Sequence, residues 1–161
     1  MSTPARAALF DPFSGISGDM ILGALLDLGL PLDHLRETVA GLGIEAGAVQ
    51  AQPVVRGGIR AWSVTIPQER DAPHRHLADV MEILDRAPLH PRAREIARRT
   101  FRRLAEAEGR IHGVDPERVH FHEVGAVDAI ADIAGTAAGV VELGIETAYT
   151  RPVALGRGWV R

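Results

Sequence analysis

The stretch from Val119 to Leu143 constrains the fold of this chain more than any other. It begins with an alternating run, Val119-His120-Phe121-His122, and reaches Gly125, where a turn is permitted. From Ala126 to about Leu143 the residues Val127, Ile130, Ile133, Val140 and Val141 recur at helical spacing. The positions between them are mostly small: Ala129, Ala131, Ala134, Ala137 and Ala138. An extended segment feeding a small, apolar helix is therefore expected. Two carboxylates, Asp128 and Asp132, ride on that helix. At i and i+4 they share one face, with Cβ atoms about 6 Å apart.

The rest of the chain reads around this unit. Ala7 to Phe10 is a short buried strand, and a Gly/Ser-rich loop over 12–18 follows it. Helical periodicity runs from Asp19 to Leu28, with Gly29 as a stop. A second helix opens at Leu30-Pro31-Leu32-Asp33 and ends at Gly41 and Gly43. Strands over 49–56 and 59–66 flank Gly57-Gly58, a strong hairpin signal. Residues 67–73 form a polar loop, 76–84 a short helix, and Pro91 opens a longer helix to about Gly109. The arginines at 92, 94, 98, 99, 102 and 103 read as a solvated face paired with Glu95, Glu106 and Glu108. A last strand is expected over 147–155. The order fits an α/β class: one mixed α/β domain with a β-hairpin and several helices, incomplete at its C-terminus.

Composition removes several chemistries. With 161 residues there is room for one domain with a real core. No cysteine is present, which excludes disulfides, thiolate nucleophiles and Cys-ligated metals. All 18 basic residues are arginine, so Schiff-base chemistry and a P-loop lysine are excluded too. The net charge of −3 offers no electrostatic case for nucleic acid. No apolar run is long enough for a membrane span, and the N-terminus lacks a signal-peptide pattern, so a cytoplasmic location is the default.

Any metal must therefore bind through nitrogen and oxygen. His120 and His122 fall on one side of an extended segment, while Glu123 falls on the other unless the chain turns. With Asp128 and Asp132 they form an imidazole–carboxylate set suited to Ni, Zn, Fe or Mn. The competing reading makes Asp128 a helix-dipole acid and the histidines backbone-bonded. A second group is the loop Asp11-Pro12-Phe13-Ser14-Gly15-Ile16-Ser17-Gly18-Asp19. Between a strand and a helix it can present N–H groups and hydroxyls to an anion. On motif physics alone, plain capping by Ser17 or Asp19 is the simpler account. His74 and His76 are a weak His-x-His pair, His112 is weaker, and His34 and His90 read as surface residues.

Both motifs together resemble the signature segments of the LarC-type nickel insertion proteins. Arg56-Gly57-Gly58-Ile59, Arg75-His76-Leu77-Ala78-Asp79 and Arg103-Leu104-Ala105-Glu106-Ala107-Glu108 with His112-Gly113 extend the likeness along the whole chain. The resemblance implies nickel insertion into pyridinium-3,5-bisthiocarboxylic acid mononucleotide. The product is the nickel-pincer cofactor of lactate racemase, and the class is a lyase-type nickel chelatase. It implies Ni²⁺ as cargo and CTP with Mn²⁺ or Mg²⁺, the nucleotide belonging to a C-terminal region that this stretch does not cover. The roles we assign are Glu123 and Asp128 as catalytic groups, and His120, His122, Asp128, Asp132, His74 and His76 around metal. Asp11, Ser14, Gly15, Ser17, Gly18 and Asp19 would hold the phosphorylated pyridinium substrate. The shortened histidine run at 74–76 departs from the family pattern and weakens a nickel-storage role there. Other readings are a nickel-binding carrier and a non-catalytic subunit, completed by the C-terminal half or by a homo-oligomer. Neither a nucleic acid nor a membrane is expected as a partner.

Overall fold

The computed structural model describes residues 6–44, 49–67, 75–121 and 126–153. Its elements in chain order are β1 (Arg6–Phe10), α1 (Gly18–Asp27), α2 (Leu32–Gly41), β2 (Gln50–Arg56), β3 (Ile59–Thr65) and β4 (Arg75–His76). Then come α3 (Leu77–Arg86), α4 (Pro91–His112), a 3-10 turn (Pro116–Arg118), β5 (His120–Phe121), α5 (Val127–Glu142) and β6 (Ile145–Thr150). The domain is mixed α/β, as the order of sequence patterns implies.

Helix α5 is the packing centre because its side chains are small. Ile130, Ala131, Ala134, Gly135, Ala137, Ala138 and Gly139 are all buried. A Cβ at Gly135 would lie 2.8 Å from Leu35 Cδ1 on α2 and 3.2 Å from Leu22 Cδ2 on α1. One at Gly139 would lie 2.9 Å from Leu30 Cδ2. The leucines of α1 and α2 therefore rest on the α5 backbone itself. Full burial of Leu22, Leu35 and Ile130 contributes roughly 1.5–3 kcal/mol for each side chain.

Helix α4 covers another flank of α5. Its buried residues Ala93, Ala97, Phe101, Ala105 and Gly109 recur at every fourth position, a single i±4 ridge. Phe101 in the middle of that ridge meets Phe121 edge-on, with ring centroids 6.0 Å apart. The helix begins with Pro91 at its first turn and ends at Gly113 in the left-handed region, φ 67°.

Among the described residues the strands form three two-stranded sheets. β1 and β6 run parallel, with Leu9 opposite Tyr149 and Phe10 opposite Thr150. The Arg151 N–H donates to the Phe10 carbonyl at 2.9 Å and extends that ladder by one residue. β2 and β3 form the expected hairpin, Arg56 opposite Ile59. Gly57 and Gly58 both take positive φ, 57° and 79°, as a two-residue primed turn demands. β4 and β5 pair antiparallel, with His76 opposite His120.

Four expectations change. The first strand is not buried: no residue of β1 is fully enclosed, and Leu9 faces solvent, because among the described residues only β6 pairs with it. The final strand begins earlier and ends at Thr150 rather than reaching Leu155, and Pro152 just beyond it has no N–H to give a ladder. The arginines of α4 are not simply a solvated face. Arg92 donates to the carbonyls of Ile145 (3.0 Å) and Glu146 (3.1 Å), tying α4 to β6. Arg94 clasps the turn after α3 through the carbonyls of Leu84, Ala87 and Leu89. Arg98 grips the Asp85 carboxylate at 2.5 Å, and that hydrogen bond holds Asp85 below its ordinary value. The two histidines read as surface residues also have structural places. His90 caps α4, its Nδ1 accepting from the Arg92 N–H at 3.2 Å. His34 is half-buried with Nδ1 3.9 Å from Glu142, and its Nε2 is enclosed.

Candidate functional site

The Gly/Ser loop leaves the C-terminal end of β1 and climbs to the start of α1. Its turns are made by backbone bonds from Phe13 N–H to the Asp11 carbonyl (2.9 Å) and from Gly15 N–H to the Pro12 carbonyl (3.2 Å). Gly15 sits at φ 89°, a conformation that a side chain would resist. Asp11 lies 3.5 Å from the Arg151 guanidinium, so the loop is tied to the end of β6. Ser17 occupies the N-cap position of α1 without capping it through its side chain. Its hydroxyl donates to the Asp19 carboxylate instead. Simple side-chain capping therefore does not account for Ser17. The loop, from Asp11 to Ser17 with Met20, borders a depression of about 460 Å³.

Gly18 explains why this loop needs a glycine at its exit. A Cβ there would fall 2.3 Å from Asp132 Oδ2. The first turn of α1 thus lies directly against the acidic face of α5, and two motifs more than a hundred residues apart meet. Asp132 is half-buried, and its pKa is pushed up to about 6. Loss of hydration is the main cause, followed by the negative charges of Asp19 and Asp128. Asp128 also accepts from the Ala129 N–H at 2.8 Å. Three acids here make a proton acceptor tuned toward neutral pH and a region attractive to cations.

The histidine segment faces elsewhere. Alternation along β5 buries Phe121 and turns His120 outward. Opposite it, His76 brings its ring to 3.8 Å from that of His120, tilted by 48°. Asp79 accepts from the His76 backbone N–H at 2.7 Å and fixes the start of α3. His76, His120, Asp79, Asp115, Glu117 and Arg118 border an open cleft of about 800 Å³. His74, His122 and Glu123 lie outside the described residues. Among the described residues no three His, Asp or Glu side chains are grouped closely enough to hold a metal ion. The structure thus brings Asp19, Asp128 and Asp132 together, and His76 with His120. His112, the weakest candidate, lies 4.0 Å from Glu108.

Another recess escaped the sequence reading. Between α1 and the β2–β3 hairpin lies an open cleft of about 600 Å³. Asp19 and Asp27 border it from the helix, and Arg56, Arg60 and Trp62 from the hairpin. The helix and hairpin approach closely because α1 has Gly23 at the crossing. A Cβ there would stand 2.6 Å from the Trp62 carbonyl oxygen. The one available signal was Arg56, which precedes the Gly-Gly turn inside a family-like stretch. Ser17 and Met20 border both this cleft and the loop depression.

Comparison with known proteins gives this arrangement a context. The sequence profile described as nickel insertion protein matches residues 8–161. A relative from Geobacter sp. (strain M21), named for nickel insertion, is 48% identical over 157 residues, covering 97% of this chain and 41% of its own length. The pyridinium-3,5-bisthiocarboxylic acid mononucleotide nickel insertion protein of Desulfitobacterium hafniense (strain DSM 10664 / DCB-2) is 45% identical over 156 residues, 97% of this chain and 39% of that one. A relative from Thermomicrobium roseum is 45% identical over 96% of this chain and 38% of its own. The chain spans about two fifths of the length of these curated relatives. No solved structure gave a significant match.

Proposed function

The chain belongs to the nickel insertion protein family, and on that premise we propose that it works in placing nickel into pyridinium-3,5-bisthiocarboxylic acid mononucleotide. The contact of Gly18 with Asp132 is the observation that supports this reading most, because it sets an anion-type loop against a cation-attracting acid face. A chain without cysteine holds nickel only on nitrogen and oxygen, so the thiocarboxylate sulfurs of the substrate can capture it. Asp128 and Asp132 are the carboxylates proposed to present the ion, with His120, His122 and the His74/His76 pair as nitrogen ligands on its route. For a carbon–nickel bond the pyridinium ring must release a proton to a base. Glu123 and Asp128 are the proposed bases, and Asp132, tuned to about 6, is a third. The substrate phosphate rests on the loop at Ser14, Gly15, Ser17 and Gly18, with Asp11 and Asp19 flanking it.

The product in this reading is the nickel-pincer cofactor of lactate racemase, and the class is a lyase-type chelatase. CTP and its Mn²⁺ or Mg²⁺ belong to the remaining length of the family's chains. The test mixes this chain, that remaining region, Ni²⁺, CTP and the substrate, and reads the nickelated product by mass spectrometry. Asp128→Asn and Asp132→Asn should each lower product formation at least tenfold. Full activity in both variants would remove the acid face from the reaction. The carrier reading is separated by calorimetry: a carrier binds Ni²⁺ without substrate and loses that binding in His120→Ala.

A further inference from the structure

We propose that the cleft between α1 and the β2–β3 hairpin seats the pyridinium mononucleotide, with its ring on Trp62 and its ring acids on Arg56 and Arg60, the phosphate reaching the adjoining loop at Ser17. This rests on the functional reading above and adds a place and residues to it. The volume, about 600 Å³, falls within the usual range for small-ligand sites of about 300–1,000 Å³. The chemistry of the border matches a zwitterionic aromatic ligand from both sides. A pyridinium ring is flat and positive, and an indole face attracts such a cation. Asp19 and Asp27 add negative charge on the opposite wall. The ring acids are negative, and guanidinium groups bind such acids in paired geometry.

Three further observations bear on this seat. Among the described residues no carboxylate pairs with Arg56 or Arg60; exposed arginines of α4 such as Arg99 share this, but Arg56 and Arg60 border a cleft with an indole. Arg60 lies on the same face of β3 as Trp62 and Val64, while Arg56, opposite Ile59, projects from the other face and borders the cleft from the turn end. Asp19 belongs both to this cleft and to the acid group around Asp132. A ring seated on Trp62 is therefore presented to the side from which the acids offer a cation.

The probe is pyridinium-3-carboxylic acid mononucleotide, a stable ligand without sulfur, titrated into the 161-residue chain and followed by calorimetry. The wild type should bind it, and the Arg56→Ala/Arg60→Ala double variant should bind at least tenfold more weakly. Trp62→Leu should weaken binding similarly, while Trp62→Phe should retain most of it. Circular dichroism checks that each variant is folded, and Arg99→Ala, exposed on α4 and outside the cleft, controls for loss of charge. The matching riboside identifies the anion that is read. If the arginine effect persists without phosphate, Arg56 and Arg60 read the ring acid as proposed; if it vanishes, they read the phosphate and that assignment is overturned. Binding unchanged within twofold in the arginine and Trp62→Leu variants overturns the cleft while leaving nickel insertion intact. Absence of binding at millimolar probe also overturns it. The product assay above, run separately, decides whether the functional reading falls with it.

Discussion

Asp132 is the residue whose environment does most to set the chemistry. Its carboxyl titrates near 6 in the folded chain, against about 3.9 when unfolded. Between those values the folded state holds the extra proton, so stability declines as pH rises from about 4 to about 6, and the loss is complete above. Asp132→Asn removes this dependence. Denaturant titrations should show the variant gaining on the wild type across that window, by about 1 kcal/mol at pH 7 after discounting for partial exposure. A difference that stays flat with pH would mean the carboxyl is not strained by its neighbours. The sequence made Asp128 and Asp132 visible through their spacing on an apolar helix. Asp19 and Gly18 could not be attached to them, because nothing local encodes contact across more than a hundred positions.

At the scale of elements, glycines decide how closely the helices and hairpin approach. Gly23 and Gly135 are both buried, yet their neighbours differ. A methyl at Gly23 would meet the Trp62 carbonyl, part of a strand backbone that cannot swing aside. At Gly135 the obstacle is the end of the Leu35 side chain, which can change rotamer. Helix propensity favours alanine at both by about 1 kcal/mol. Gly23→Ala should therefore cost roughly 1–3 kcal/mol net, and Gly135→Ala should be near neutral. Equal losses in urea unfolding would contradict this packing account. Helices, hairpin and turn type were legible because periodicity and Gly-Gly chemistry are local. The roles of Arg92, Arg94 and Arg98 were not, since a charge pattern does not reveal which carbonyls a guanidinium will find.

On the scale of the whole molecule, the elements are unequally anchored. α5 contributes a continuous buried face, and α1, α2 and α4 all pack on it. The paired residues Leu9 and Tyr149 of β1 and β6 are 64% and 61% exposed, so that sheet presents an uncovered face in this chain. Hydrogen exchange should consequently be slowest in the middle of α5 and faster in β1 and β6. Uniform protection across these elements would show that they open as one unit. The 2.3 Å separation that a methyl on Gly18 would have from Asp132 carries a mechanical corollary. An ionisable oxygen is braced on main chain, which has no rotamer through which to retreat. A change in that oxygen's charge therefore acts on the main chain at the start of α1, and α1 is also a wall of the neighbouring recess.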